Sequence, residues 1–213
     1  MRTVAVLVLT CLWCPPIAHG QSSATAPGAA EPRKYHLIRE DDDWRFLANQ
    51  SEQEDLWDPI KYIGLREGRD DWFLSIGGEA RGTWERIEND NWGQQPFTNS
   101  YLNQRYMFHV DARYGEHLRS FVELKSGLNS GRTGGPRPID EKKLDFQAAF
   151  VELGTGNDRA GIKVRAGRHE LEYGSGRLID VREGPNVRLS FDGVKVKSGI
   201  GSWRVDGLSL IHI

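Results

Sequence analysis

From Asp71 onward the chain alternates apolar and polar residues with a period of two. In WFLSIGGEARGTWE (72–85), Trp72, Leu74, Ile76, Gly78, Ala80, Gly82 and Trp84 share one side, and Ser75, Gly77, Glu79, Arg81, Thr83 and Glu85 the other. In YLNQRYMFHVDARY (101–114), Leu102, Tyr106, Phe108, Val110, Ala112 and Tyr114 oppose Asn103, Arg105, His109, Asp111 and Arg113, with Gln104 interrupting the apolar row. Leu118, Val122 and Leu124 then alternate with Arg119, Glu123 and Lys125, and Ile162, Val164 and Ala166 with Lys163 and Arg165. Trp203 and Val205 alternate with Arg204 and Asp206. A period of two predicts half-buried strands, about seven of them in this chain.

The predicted connections are unequal. Residues 114–117, 154–160 and 197–202 are short and rich in glycine, whereas 87–100, 129–143 and 171–186 are long, polar and charged. Tight turns at one end and long loops at the other belong to an up-and-down transmembrane barrel. The GTGNDR stretch at 154–159 has glycines in the manner of a phosphate loop, but it lacks the third glycine and a following helix, so it reads as a strand turn.

Residues 1–20 read as a secretory signal: Arg2, an apolar run from Val4 to Leu9 with Leu12 and Trp13, and Ala18-His19-Gly20 at a cleavage site. Residues 21–70 form a small-residue linker (21–33) and an acidic, aromatic, irregular or short-helical lead-in with a turn at Asp58-Pro59. Residues 71–213 carry the strands. Both cysteines lie inside the signal, so an exported chain owes nothing to disulfides or thiolate metal sites. A formal net charge of −2 argues against a nucleic-acid binder. Mean hydropathy of −0.56 excludes a helical membrane protein but not a barrel, whose strands are only half apolar.

Alternation alone fits two architectures. In a soluble sandwich the charged row faces water. In a membrane it must face a lumen, because Arg or Lys turned to lipid at the midplane costs roughly 2–4 kcal/mol. The aromatics Trp72, Trp84, Tyr114 and Trp203 near strand ends, the signal, and long loops on one side favour the barrel.

The phrases DPIKYIGL, LSIGGEARGTWE, GGPRPIDE and GSGRLIDVREGPNVRLSFDG resemble the alginate-export family of outer-membrane β-barrels, over about Asp58 to Asp206. The resemblance implies an all-β, antiparallel up-and-down transmembrane barrel, monomeric and of roughly 18 strands in full, of which this chain holds the N-terminal part. It implies an electropositive lumen that passes a polyuronate outward, an outer-membrane setting in contact with lipid, and periplasmic export-complex proteins as partners. It implies no cofactor and no catalysis. Two departures bear on alginate itself as cargo: Gln147-Ala148 stands where the exporters have an inward arginine and glutamate, and His169 follows Gly167-Arg168 where they have glutamine.

On this reading the substrate-binding candidates are Arg81, Arg105, Arg113, Arg119, Lys125, Arg165, Arg168 and Arg188, with Glu79, Asp111 and Glu123 interleaved. A guanidinium offers a planar fork for a uronate carboxylate. The neighbouring acids weaken each contact so that a polyanion slides rather than sticks, or they simply brace the wall. Three functions remain open: export of an anionic polysaccharide, diffusion of small anions, or a soluble periplasmic protein that binds or cleaves carbohydrate. The histidines His36, His109, His117 and His169 show no metal-ligand spacing, and no G-x-S-x-G elbow is present.

Overall fold

The computed structural model describes residues 5–7, 35–90, 92–157 and 160–211. The linker at 21–33 and all but residues 5–7 of the expected signal lie outside the described residues. Among those described, no helix is long and apolar enough to cross a membrane, which says nothing about strands.

The chain forms an antiparallel meander. Strands β2 (Ile63–Gly64), β3 (Trp72–Asp90), β4 (Gln95–Tyr114), β5 (Leu118–Ser130), β6 (Lys142–Asn157), β7 (Ala160–His169), β8 (Phe191–Ile200) and β9 (Trp203–Ile211) pair each with the next. Strand β1 (Ala5–Leu7) lies along the far edge of β9, Ala5 opposite Leu210. The sheet does not close, and its strand order is that of a partial up-and-down barrel. Seven long strands, β3 to β9, match the alternating segments of the sequence.

Two expectations are refined. Residues 87–100 are not a long loop: β3 and β4 continue as a ladder to Asp90 and Gln95, with one irregularity between Glu88 and Asp90. Arg86 and Glu88 are exposed on the same side as Trp84, so the hairpin runs on past that tryptophan without losing its pairing. At Asp58-Pro59, where a turn is expected, the chain opens the single-turn helix α1 (Asp58–Lys61), and proline's missing N–H costs nothing there. The remainder of the lead-in is three short 3₁₀ turns, at 39–41, 45–48 and 50–52.

Burial is inverted relative to a soluble protein. Arg105 is 1% exposed and its neighbour on the opposite side, Phe108, 52%. The same holds along the sheet: Ser75, Asp111, Glu123, Lys125, Arg165 and Lys195 are buried, while Trp84, Val122, Leu153, Ile162, Val164 and Val194 are bare. The bare side carries the rings of Trp72 and Tyr114, in edge contact at 5.5 Å, at the tight-turn end, and Trp84 towards the other. Twelve residues separate the two tryptophans of β3, ~40 Å along a strand, which at a tilt of about 40° is ~30 Å in projection. That is the thickness of a hydrocarbon core.

Candidate functional site

The charged side of the sheet is buried because two segments lie against it. One is the lead-in from Tyr35 to Lys61; the other is the loop joining β7 to β8, residues 170–190. Antiparallel register stacks the cations of this covered face in like pairs. Arg81 stands directly opposite Arg105, Arg113 opposite Arg119, Lys163 opposite Lys197 and Arg165 opposite Lys195. Like charges across a rung destabilise a sheet, so each pair needs an anion between or beside it.

At the tight-turn end the anion is Asp111. It accepts from Arg119 Nε at 2.8 Å and Arg113 Nε at 3.0 Å. At the middle it is Glu183, reaching in from the β7–β8 loop: it accepts from Arg81 Nη1 at 2.9 Å and stands 3.3 Å from Arg188 Nε. Glu79 accepts from the same Arg105 at 2.7 Å. Farther along, Arg165 holds Glu152 at 2.7 Å and Glu40 of the lead-in in a short, buried pair. Burial pushes the Glu40 carboxyl above the usual range against the pull of Arg165.

The guanidiniums rest on an aromatic floor. His109 and Phe121 stack at 5.5 Å, Phe121 and Phe150 at 5.4 Å, and Phe150 meets His169 edge-on at 6.5 Å. Arg119 lies 5.4 Å over Phe121 and Arg165 4.0 Å over Phe150. The cation–π contacts fix both side chains before any ligand arrives. An irregularity in the β5–β6 register assists: Glu123 faces Ala148 while Leu124 faces Phe146, so Gln147 is the extra residue of a bulge. Gln147 and Ala148 are consequently both buried. Gln147 Nε2 donates to Glu170 and to the carbonyl of Leu189 at 3.1 Å, which pins the inward loop at both ends. Arg188 donates to Glu170 at 3.0 Å and Lys125 to the Arg188 carbonyl at 3.0 Å.

Of the residues singled out in the sequence, the covered face brings together Arg81, Arg105, Arg113, Arg119, Lys125, Arg165, Arg188, Glu79, Asp111 and Glu123. Arg168 is placed differently. The alternation carries it onto the row of Val164 and Ala166, at the long-loop rim, where Asp192 holds it at 2.7 and 2.8 Å and the Phe146 carbonyl accepts at 3.3 Å. Sequence reasoning did not single out Glu40, Glu170, Glu183, Phe121 or Phe150. The acids sit in segments outside the strand pattern, and the two phenylalanines are apolar residues on the polar row.

A cleft of about 520 Å³ opens between the lead-in and β4 to β9, lined by Glu40, Asp41, Arg113, Arg119, Lys163 and Arg165 among others. Among the described residues no group of histidine, cysteine or acidic side chains is arranged to hold a metal ion. The arrangement can bind and order anions in series along one face.

The alginate export family model matches residues 72–210, the whole of the long-stranded region. No curated protein and no solved structure matches the chain.

Proposed function

Since the chain belongs to the alginate export family, whose members are outer-membrane transport proteins and not catalysts, we propose that its strands form the wall of a channel that exports an anionic polysaccharide. The covered face is the lumen and the bare face meets acyl chains. The observation that carries this reading is the inversion of burial: rungs of paired arginines and lysines inward, valines, leucines and aromatics outward.

The chemistry follows from that geometry. In a tube with low-dielectric walls, field lines are focused and a cationic lining concentrates polyanions. Each arginine pair presents two planar forks to a carboxylate. The interleaved Glu79, Asp111 and Glu152 share those forks, so no single uronate is held long, which conduction requires. In water this single sheet, already covered on its charged side, would leave Phe108, Val122, Leu153 and Ile162 bare along one continuous side, which a monomeric soluble protein avoids.

Single-channel recording of the protein in planar bilayers tests the reading. Oligouronates should interrupt the current at concentrations where neutral oligosaccharides of the same length do not. Equal effects of the two would leave a general diffusion pore.

A further inference from the structure

Apart from Arg39, which lies 3.5 Å from Glu79, the lead-in meets the charged groups of the covered face with acceptors. Arg119 donates to the carbonyl of Glu40 at 2.7 Å and Arg113 to the carbonyl of Asp42 at 2.7 Å. Arg188 donates to the carbonyl of Leu37 at 3.1 Å. Arg165 pairs with the Glu40 carboxylate, and Arg113 lies 3.5 Å from Asp43. The acidic run Glu40-Asp41-Asp42-Asp43 thus lays carboxylates and oxygen acceptors against the cations on which a polyuronate would travel.

Two further features separate this from simple bracing. First, the arginines do not depend on the lead-in for their placement. Arg119 is held by Asp111 and by Phe121, and Arg165 by Glu152 and Phe150, all from the wall itself. Removing the lead-in leaves the site built. Second, no residue of 35–61 is paired into the sheet: the lead-in is three single-turn 3₁₀ segments and one turn of α-helix tied mainly to one another, with Lys61 Nζ donating to Tyr35 and Asp55, so no strand ladder has to break when it leaves the wall.

We propose that residues 35–61 are a displaceable plug that occupies the lumenal arginines in the manner of the anionic polymer, so that polymer and plug compete for one set of cations. This rests on the reading of the covered face as the lumen. The plug keeps the channel shut to solutes when no polymer is present, and the arriving polyanion opens its own path by taking over Arg113, Arg119 and Arg165.

The test uses the full-length protein in lipid, with Cys11 and Cys14 replaced by Ser and a single reporter thiol at Ile38→Cys. Ile38 is 7% exposed in the docked plug and makes no polar side-chain contact. Leu47→Cys, at a fully buried position, is an independent reporter should the first variant fail to fold. An oligouronate should speed modification by a membrane-impermeant maleimide about tenfold, the ordinary scale of coupling between competing ligands, whereas a neutral oligosaccharide should not. In parallel, Glu40→Gln with Asp43→Asn should hasten liposome swelling in a neutral pentose, a readout that needs no anion preference. If the oligouronate blocks current yet both reporters stay protected, competition is refuted while the channel reading stands. If it neither blocks nor exposes the thiols, both readings fall. Unaltered swelling in the double variant also overturns the plug.

Discussion

The carboxylate of Glu183 accepts a hydrogen bond from Arg105 Nη2 at 2.5 Å, joining the β7–β8 loop to the middle of β4 across 78 residues of chain. The same oxygen serves Arg81, the cross-strand partner of Arg105. One loop acid therefore relieves the repulsion of a wall pair, and the loop is held inward by the pair it relieves.

Glu183→Gln should release this loop. A hydrogen bond to a charged group is worth about 1.5–3 kcal/mol when buried. Glu183 is a third exposed, so the loss should be nearer ~1 kcal/mol. Limited trypsin digestion checks it: cleavage after the exposed Arg182 should speed roughly fivefold, in step with the population of the open loop. An unchanged rate would mean that Asn186, which donates to the carbonyls of Gln104, Leu128 and Asp140, holds the loop without help.

The bare face makes a prediction that a soluble protein would not. Val122 sits mid-strand between Val110 of β4 and Ala149 of β6, all on the side opposite the covered face. Val122→Arg should cost about 2–4 kcal/mol in urea titrations of the protein folded into lipid vesicles. At an exposed site in water the same change stays within about 0.5 kcal/mol. A small effect would place the bare face in water.

How much of this was legible in the sequence depends on the range of the interaction. The sides of Trp72, Phe108, Val122 and Val164 follow from a period of two, because alternation is a property of each strand alone. The hairpin at 87–100 is hidden from the pattern because Arg86 and Glu88 put charges on the row of Trp84, although the ladder continues past them. The opposition of Arg81 to Arg105 and of Arg165 to Lys195 needs the register, which turn lengths and bulges set. The roles of Glu40 and Glu183 need the tertiary fold: nothing local says that an acid in a lead-in or a loop will lie against an arginine far along the chain.

The loop should also respond to pH. Burial, reinforced by the neighbouring carboxylates Glu123 and Glu40, pushes the Glu170 carboxyl from 4.5 up to about 8 against the pull of Arg188 and the amide of Gln147. A raised value means that the packed state holds a proton the open state gives up. The stabilisation is complete below about pH 4.5, declines as pH rises, and is gone above about 8. Loop digestion at pH 9 should exceed that at pH 5 by well over ~10-fold, beyond the protease's own pH profile on a peptide control. Glu170→Gln, which cannot ionise, should flatten the curve; a step that survives it belongs to another group.

The glycine before Arg168 has a steric cause. Gly167 has φ +129°, and a Cβ there would run into the carbonyl oxygen of Ala149 on β6. Gly167→Ala should destabilise the protein by more than ~1 kcal/mol, since the backbone is both strained for an L side chain and closely packed. Urea midpoints in vesicles measure it. Gly82→Ala is the control: a Cβ there meets nothing within 4 Å and should leave the midpoint nearly unmoved.

Charge reversal separates the arginines of the covered face from the one on the rim. Arg81 and Arg105 lie on the covered face, and replacing both by glutamate removes two positive charges from the middle of the wall and puts two negative ones in their place. The ratio of anion to cation permeability, read from the reversal potential in a salt gradient, should fall by a factor on the order of ten. Arg168 lies on the opposite row with Asp192 as its principal partner and Asp145 at 3.5 Å. Arg168→Glu would set three carboxylates together at the rim, so it should lower the urea midpoint while leaving selectivity in place. Selectivity that follows Arg168 and ignores Arg81 would turn the wall inside out, with the apolar row facing the aqueous path.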